Sequence, residues 1–213
     1  MTGGKRLNIL SEAILCSLGL MVFSFFIQYK FPVRLLSFAA LLISAFIISR
    51  NLRSLSDLKK ITGESISLKI TLLFLFLGIV SGMMLAIIYR RHLDLSLFPG
   101  SVHLFVVTAA FIGCTEELVF RGFIQEYVKK INGPFSIIFS TLSHTGYKCC
   151  LFLSPAITTD INIGFLTLWT FLAGILFGTI RHLSRNLLPS MSAHALFDVL
   201  VYAEFVNAPW WVW

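Results

Sequence analysis

Long uncharged runs alternate along the chain with short polar, mostly basic connections. The runs are Ala13 to Ile27, Leu35 to Ser49, Ile70 to Tyr89, Leu95 to Thr115, Ile131 to Tyr147, Ile161 to Ile180 and Asn186 to Ala203. They carry no sustained polar face for water, so they predict membrane-spanning helices rather than amphipathic helices of a water-soluble core. A helix rising ~1.5 Å per residue needs about 17–25 residues to cross the hydrocarbon layer, and the third, fourth and sixth runs meet this comfortably. The second, flanked by Arg34 and Arg50, crosses only if both arginines extend to the interfaces. The expected fold is all-α: a polytopic transmembrane bundle of about seven spans.

Turn chemistry sharpens the element ends. Pro134, after Asn132 and Gly133, predicts a helix start; Pro155 predicts a stop, and Pro189 opens the final span. The polar stretch Arg50 to Lys69 reads as a cytoplasmic loop or interfacial helix. Three parts follow: N-terminal spans and loop over 1–94, a working unit over 95–208, and an aromatic interfacial tail, PWWVW, at 209–213. Lys5 and Arg6 precede an apolar run with no small-residue cleavage site behind it, which predicts a retained anchor.

Composition agrees with the pattern: 57% hydrophobic and 13% charged residues, with mean hydropathy +0.86, exclude a soluble enzyme. The net charge of +7 is explained by topology. Threading seven spans from a cytoplasmic N-terminus puts Lys5, Arg6, Arg50, Arg53, Lys59, Lys60, Lys69, Lys129, Lys130, Arg181 and Arg185 inside, and Lys30, Arg34, Arg90 and Arg91 outside. These cations sit beside anionic lipid, and no interleaved basic and aromatic face exists to bind nucleic acid. A multi-pass protein of a prokaryotic cell membrane is the expectation. Cys16, Cys114, Cys149 and Cys150 lie within spans without CxxC spacing and read as packing residues, with a thiol ligand at Cys114 as the alternative.

The last four spans also hold Glu116, Glu117, Arg121, His144, Lys148, His194 and Asp198. Burying such a set in lipid costs on the order of 10 kcal/mol before pairing, so these side chains must face one another or a water-filled cavity. Counted from the expected cytoplasmic helix ends, Glu116, His144 and His194 all lie roughly 13–15 Å deep. Glu117 and Arg121 are spaced i,i+4 for an ion pair, whereas Glu116 is turned about 100° away and free for another partner. His194 and Asp198 share a face by the same spacing. Lys148 is expected to extend toward the outer interface. Gly78, Gly82, Gly174 and Gly178 have the spacing of close helix contacts.

EELVFRG with Glu116, Glu117 and Arg121, FSTLSH with His144, and HALFD with His194 and Asp198 resemble the three motifs of the CPBP family, the CAAX prenyl protease type 2 and Abi (bacteriocin-immunity) group of glutamic-type intramembrane proteases. The likeness runs from about Leu95 to Val206. Ser140 stands where the family carries an aromatic residue, with Phe139 one position earlier, and Asp198 stands where many members have asparagine. The resemblance implies a cavity open to the cytoplasm and hydrolysis of a peptide bond near the C-terminus of a membrane-associated protein, prenylated or not. Glu116 would be the general base, with His144 sharing the water, His194 oriented by Asp198 stabilising the oxyanion, and Glu117 holding Arg121. No cofactor is expected. Zinc held by Glu116, His144, His194 and Asp198 is one alternative; a non-catalytic immunity or scaffold protein and an ion-coupled transporter are others.

Overall fold

Each apolar run becomes a helix, and local chemistry sets where it starts. In a computed structural model describing residues 3–52, 54–63, 67–156 and 162–206, the helices are α1 (Gly3–Phe26), α2 (Leu35–Asn51), α3 (Leu55–Thr62), α4 (Leu68–His92), α5 (Phe105–Glu117), α6 (Glu126–Lys129), α7 (Gly133–Leu153), α8 (Ile163–Ser184) and α9 (Leu188–Tyr202). A π-helical segment, Leu118–Gln125, joins α5 to α6 without a break. Arg53, Asp160 and the expected tail at 209–213 lie outside the described residues. Ser54 and Ser67 cap α3 and α4. The side chains of Asn132 and Asn162 accept the amides of Phe135 and Phe165 at 2.9 and 3.0 Å to start α7 and α8. Pro134 and Pro189 occupy first turns, and α7 stops two residues before Pro155, as the proline positions predict.

Three helices, α1, α4 and α8, are each long and apolar enough to cross a membrane; a fourth span is reached if α2 and α3, bent by 110°, are taken together. The fourth apolar run departs from expectation. Helix begins only at Phe105, because residues 93–104 contain Pro99-Gly100 and bond elsewhere. Arg90 donates to the Ser96 carbonyl at 2.7 Å, the Gly100 amide donates to Glu204 at 2.8 Å, and the His103 amide donates to the Ala203 carbonyl at 2.9 Å. The Gly100 amide and the Arg90 guanidinium hold the Glu204 carboxyl below the usual carboxylate range.

The bundle is apolar outside and partly polar inside. Leu42, Phe76 and Phe111 are 71%, 62% and 72% exposed, while Ser17, Ser44, Ser140 and Ser143 are buried. On α4 the buried positions recur every fourth residue, Gly78, Gly82, Ala86 and Arg90, and this seam lies along α9. A Cβ at Gly78 would overlap the Pro189 carbonyl and one at Gly82 the Ala193 carbonyl, so the two backbones meet directly. Gly174 and Gly178 on α8 instead make room for side chains of α7, Thr141 and Ile137.

The contacts fix helix directions. Ser17 meets Ser143 at 2.9 Å and Met21 lies against Gly146, so α1 and α7 are parallel, as are α4 and α9. By contrast α8 is antiparallel to α7, with Thr141 beside Gly174 and Cys149 beside Thr167, and α5 is antiparallel to α9. Gly82→Ala is expected to cost about 1–3 kcal/mol of stability by forcing α4 from α9; Gly100→Ala, whose Cβ would meet only Glu204 at 3.8 Å, should stay within about 0.5 kcal/mol. Thermal unfolding in detergent measures both.

Candidate active site

At the end of α5 the two glutamates diverge, as the 100° rotation between adjacent residues predicts. Glu117 is fully buried and lies 3.5 Å from Nη1 of Arg121. Glu116 turns toward α7, where its Oε2 is 3.0 Å from Nε2 of His144. That same Oε2 is 3.8 Å from Nε2 of His194 on α9. Three helices therefore bring one carboxylate oxygen and two imidazole nitrogens to a common point.

Donor logic assigns the histidine protons. Arg121 can only donate, so Nδ1 of His144, 2.9 Å from Nη1, accepts, and Nε2–H donates to Glu116. The second imidazole is held the other way: Nδ1–H of His194 donates to Oε1 of Glu117 at 3.0 Å. Arg121 thus ties both sides of the site together, touching His144 directly and His194 through Glu117. Asp198 was expected to orient His194, but it stands 3.8 Å from Nε2. Glu117 makes the orienting contact instead, because it reaches His194 from the neighbouring helix at hydrogen-bond distance.

Lys148 is placed differently from its expected course to the interface. One turn beyond His144, it shares that residue's face of α7, and its Nζ lies 2.5 Å from Oε1 of Glu116. An ammonium in apolar surroundings is better off beside a carboxylate than crossing to water. The aromatic partner of His144 also differs from the Phe139 register shift. Phe139 packs against the α1 side, and the ring beside the imidazole is Phe120, with centroids 4.6 Å apart. Ser140, in the family's aromatic position, donates to the Phe120 carbonyl at 2.7 Å, within the π-helical segment. Gly113, one turn before Glu117, leaves the room that Asp198 and the His194 ring occupy. Sequence reading missed Gly113; its i−4 relation to Glu117 was the available signal.

Glu116, Arg121, His144, Lys148, His194 and Asp198 line a cavity of about 240 Å³, whose wall is otherwise mostly apolar and aromatic, with Tyr89, Tyr147, Trp169, Phe177 and Phe197. Its lining continues to Leu93, Phe152, Leu166 and Phe205, where α4, α7 and α9 end and α8 begins. Given the helix directions, this is the end of the bundle opposite Gly3.

The zinc alternative does not fit the donor set. With Arg121 on Nδ1 of His144, Nε2 carries the proton and has no lone pair for a metal, and Lys148 already neutralises Glu116. Among the described residues, no group of three or more His, Cys, Asp or Glu side chains is arranged to hold an ion.

Residues 98–200 match the family model described as type II CAAX prenyl endopeptidase Rce1-like, so the segment carrying the three motifs is similar to that family, in agreement with the CPBP resemblance. No curated protein and no solved structure matches the chain.

Removing one partner of a buried ion pair strands the other charge. Arg121→Leu is expected to destabilise the protein by about 3–5 kcal/mol, and Arg121→Leu with Glu117→Leu by less than either single change. Chemical denaturation in mild detergent reads the double-mutant cycle without reference to activity.

Proposed function

We propose that the chain is an intramembrane endopeptidase hydrolysing a peptide bond near the C-terminus of a membrane-associated protein, through water activated by Glu116. The observation that carries this reading is the convergence of Glu116, His144 and His194 from three helices at the deep end of an apolar cavity. The Rce1-like match supports the reaction class.

In the proposed reaction Glu116 takes a proton from water as its oxygen bonds to the scissile carbonyl carbon. His194, as an imidazolium held by Glu117, donates from Nε2 to the oxyanion. The proton then passes from Glu116, by way of His144, to the amide nitrogen as the C–N bond breaks, leaving a carboxylate and an amine. Glu117 and Arg121 position the two imidazoles. Asp198 adds negative charge near Nε2 of His194, which favours the donor form. None of these steps calls for a metal.

The same reading has seven crossings: α1, α2, α4, the continuous α5-to-α6 helix, α7, α8 and α9. The excess of basic residues at the Gly3 end favours a cytoplasmic N-terminus. The mouth then opens on the outer face, so the substrate tail enters from there or from the adjoining lipid.

Glu116→Gln is expected to lower turnover about 10²–10⁴-fold, measured by comparing the C-termini of membrane proteins in cells with intact and substituted protein; undiminished cleavage would overturn the assignment. Val102→Cys lies in the exposed loop before α5. An impermeant maleimide should label it in intact cells, and labelling only after permeabilisation would reverse the orientation.

A further inference from the structure

We infer that Lys148 receives the C-terminal carboxylate of the substrate and that this exchange releases Glu116 to act as base; the inference rests on the protease reading above. Three observations carry it. First, Lys148 lines the cavity one turn nearer its mouth than His144, beside Leu151 and Phe152, and its side chain remains 23% exposed. Second, the other cation of the lining is inaccessible. Arg121 is fully buried, committed to Glu117 and His144, and its remaining nitrogens are sealed from solvent. Third, beyond Lys148 the cavity wall is apolar, with Leu151, Phe152, Leu166 and Phe205, a surrounding in which an unpaired carboxylate is strongly disfavoured.

A chain end differs from a mid-chain segment in carrying that carboxylate. Lys148 is the cation free to meet it, because an ammonium on a flexible four-carbon stem can change partners without moving the helix. In the structure the same ammonium pairs with Oε1 of Glu116 and neutralises it, which makes the glutamate a poor proton acceptor. An arriving carboxylate draws Lys148 away toward the mouth. Glu116 then takes the proton of the attacking water, so the charge that Lys148 leaves is quenched in the same step. Recognition of a free C-terminus and activation of the base become one event, and an internal peptide segment or an amidated end leaves the Lys148–Glu116 pair closed.

The test uses the full-length protein in nanodiscs and lipid-anchored peptides randomised at the C-terminal positions, prepared as free acids and as C-terminal amides. Wild-type protein is expected to cleave the acid pool with a kcat/KM about tenfold or more above the amide pool, a difference of about 1.4 kcal/mol. Lys148→Met and Lys148→Gln should each collapse the ratio toward one, and Lys148→Arg should preserve it. Equal cleavage of the two pools by wild type, or an unchanged ratio in both neutral variants, overturns the inference. Retention of the pools on Glu116→Gln protein, with and without Lys148→Met, separates the two readings. If nothing is cleaved but acids are retained better only when Lys148 is present, the carboxylate site stands and the peptidase reading falls. If acids and amides are retained equally, the site falls whatever the outcome for cleavage.

Discussion

Charge buried in an apolar bundle must be compensated within a few ångströms, and this requirement organises the C-terminal half of the protein. Glu117 and Arg121 have no exposure at all, and Glu116, His144, His194 and Asp198 have almost none. Each is held by another: Glu117 by Arg121 and His194, Glu116 by Lys148 and His144. Removing one member of a buried pair would leave the other short of compensation at a cost of about 3–5 kcal/mol, a large part of the stability of many proteins. The network thereby fixes the relative rotation of α5, α7 and α9. A site assembled from three helices keeps its geometry because misalignment exposes uncompensated charge.

Close backbone approach is the other half of this arrangement. Lipid supplies no hydrophobic force between helices, so α4 and α9 are joined through glycines that bring main chains together. The Gly113 side of α5 is pared down for the same reason, to admit Asp198 and His194. The π-helical segment after Glu117 costs regular hydrogen bonding, and Ser140 compensates by donating to the Phe120 carbonyl. That bond draws Phe120 over His144, so a backbone irregularity on one helix becomes a packing contact that orients an imidazole on the next.

Local rules made much of this legible. Apolar runs, asparagine and serine caps and the proline positions gave most element starts, since each depends on residues within one turn. The Glu117–Arg121 pair and the divergence of Glu116 followed from helical phase alone. Residues 95–104 failed because apolarity cannot tell a helix from an irregular segment whose backbone is satisfied by Arg90 and by Ala203 and Glu204 after α9. Lys148 failed because its direction depends on which partner lies across the bundle. The substitution of Glu117 for Asp198 beside His194 failed similarly: i,i+4 spacing permits a contact within α9, but the interhelical distance is shorter by 0.8 Å, 3.0 against 3.8 Å. Depth counting placed the three polar levels together correctly, yet carried no information about which end of the bundle the cavity reaches.

The asymmetry between the two histidines follows from a single arginine. Because a guanidinium has donors only, its contact with His144 leaves that ring's Nε2 as an N–H, and its pairing keeps Glu117 an acceptor for Nδ1–H of His194. Two identical side chains thus turn Nε2 toward the same carboxylate oxygen, at 3.0 and 3.8 Å, with their Nδ1 atoms held in opposite ways. His144 offers a proton already engaged with Glu116, and can relay one in either direction. His194 offers an Nε2 whose protonation is free to change, flanked at 3.8 Å by both Glu116 and Asp198. Replacing Arg121 by lysine would keep the positive charge but lose the planar guanidinium whose Nη1 meets both Glu117 and His144. Arg121 therefore belongs to the site even though it is fully buried: its contacts decide which nitrogen carries which proton.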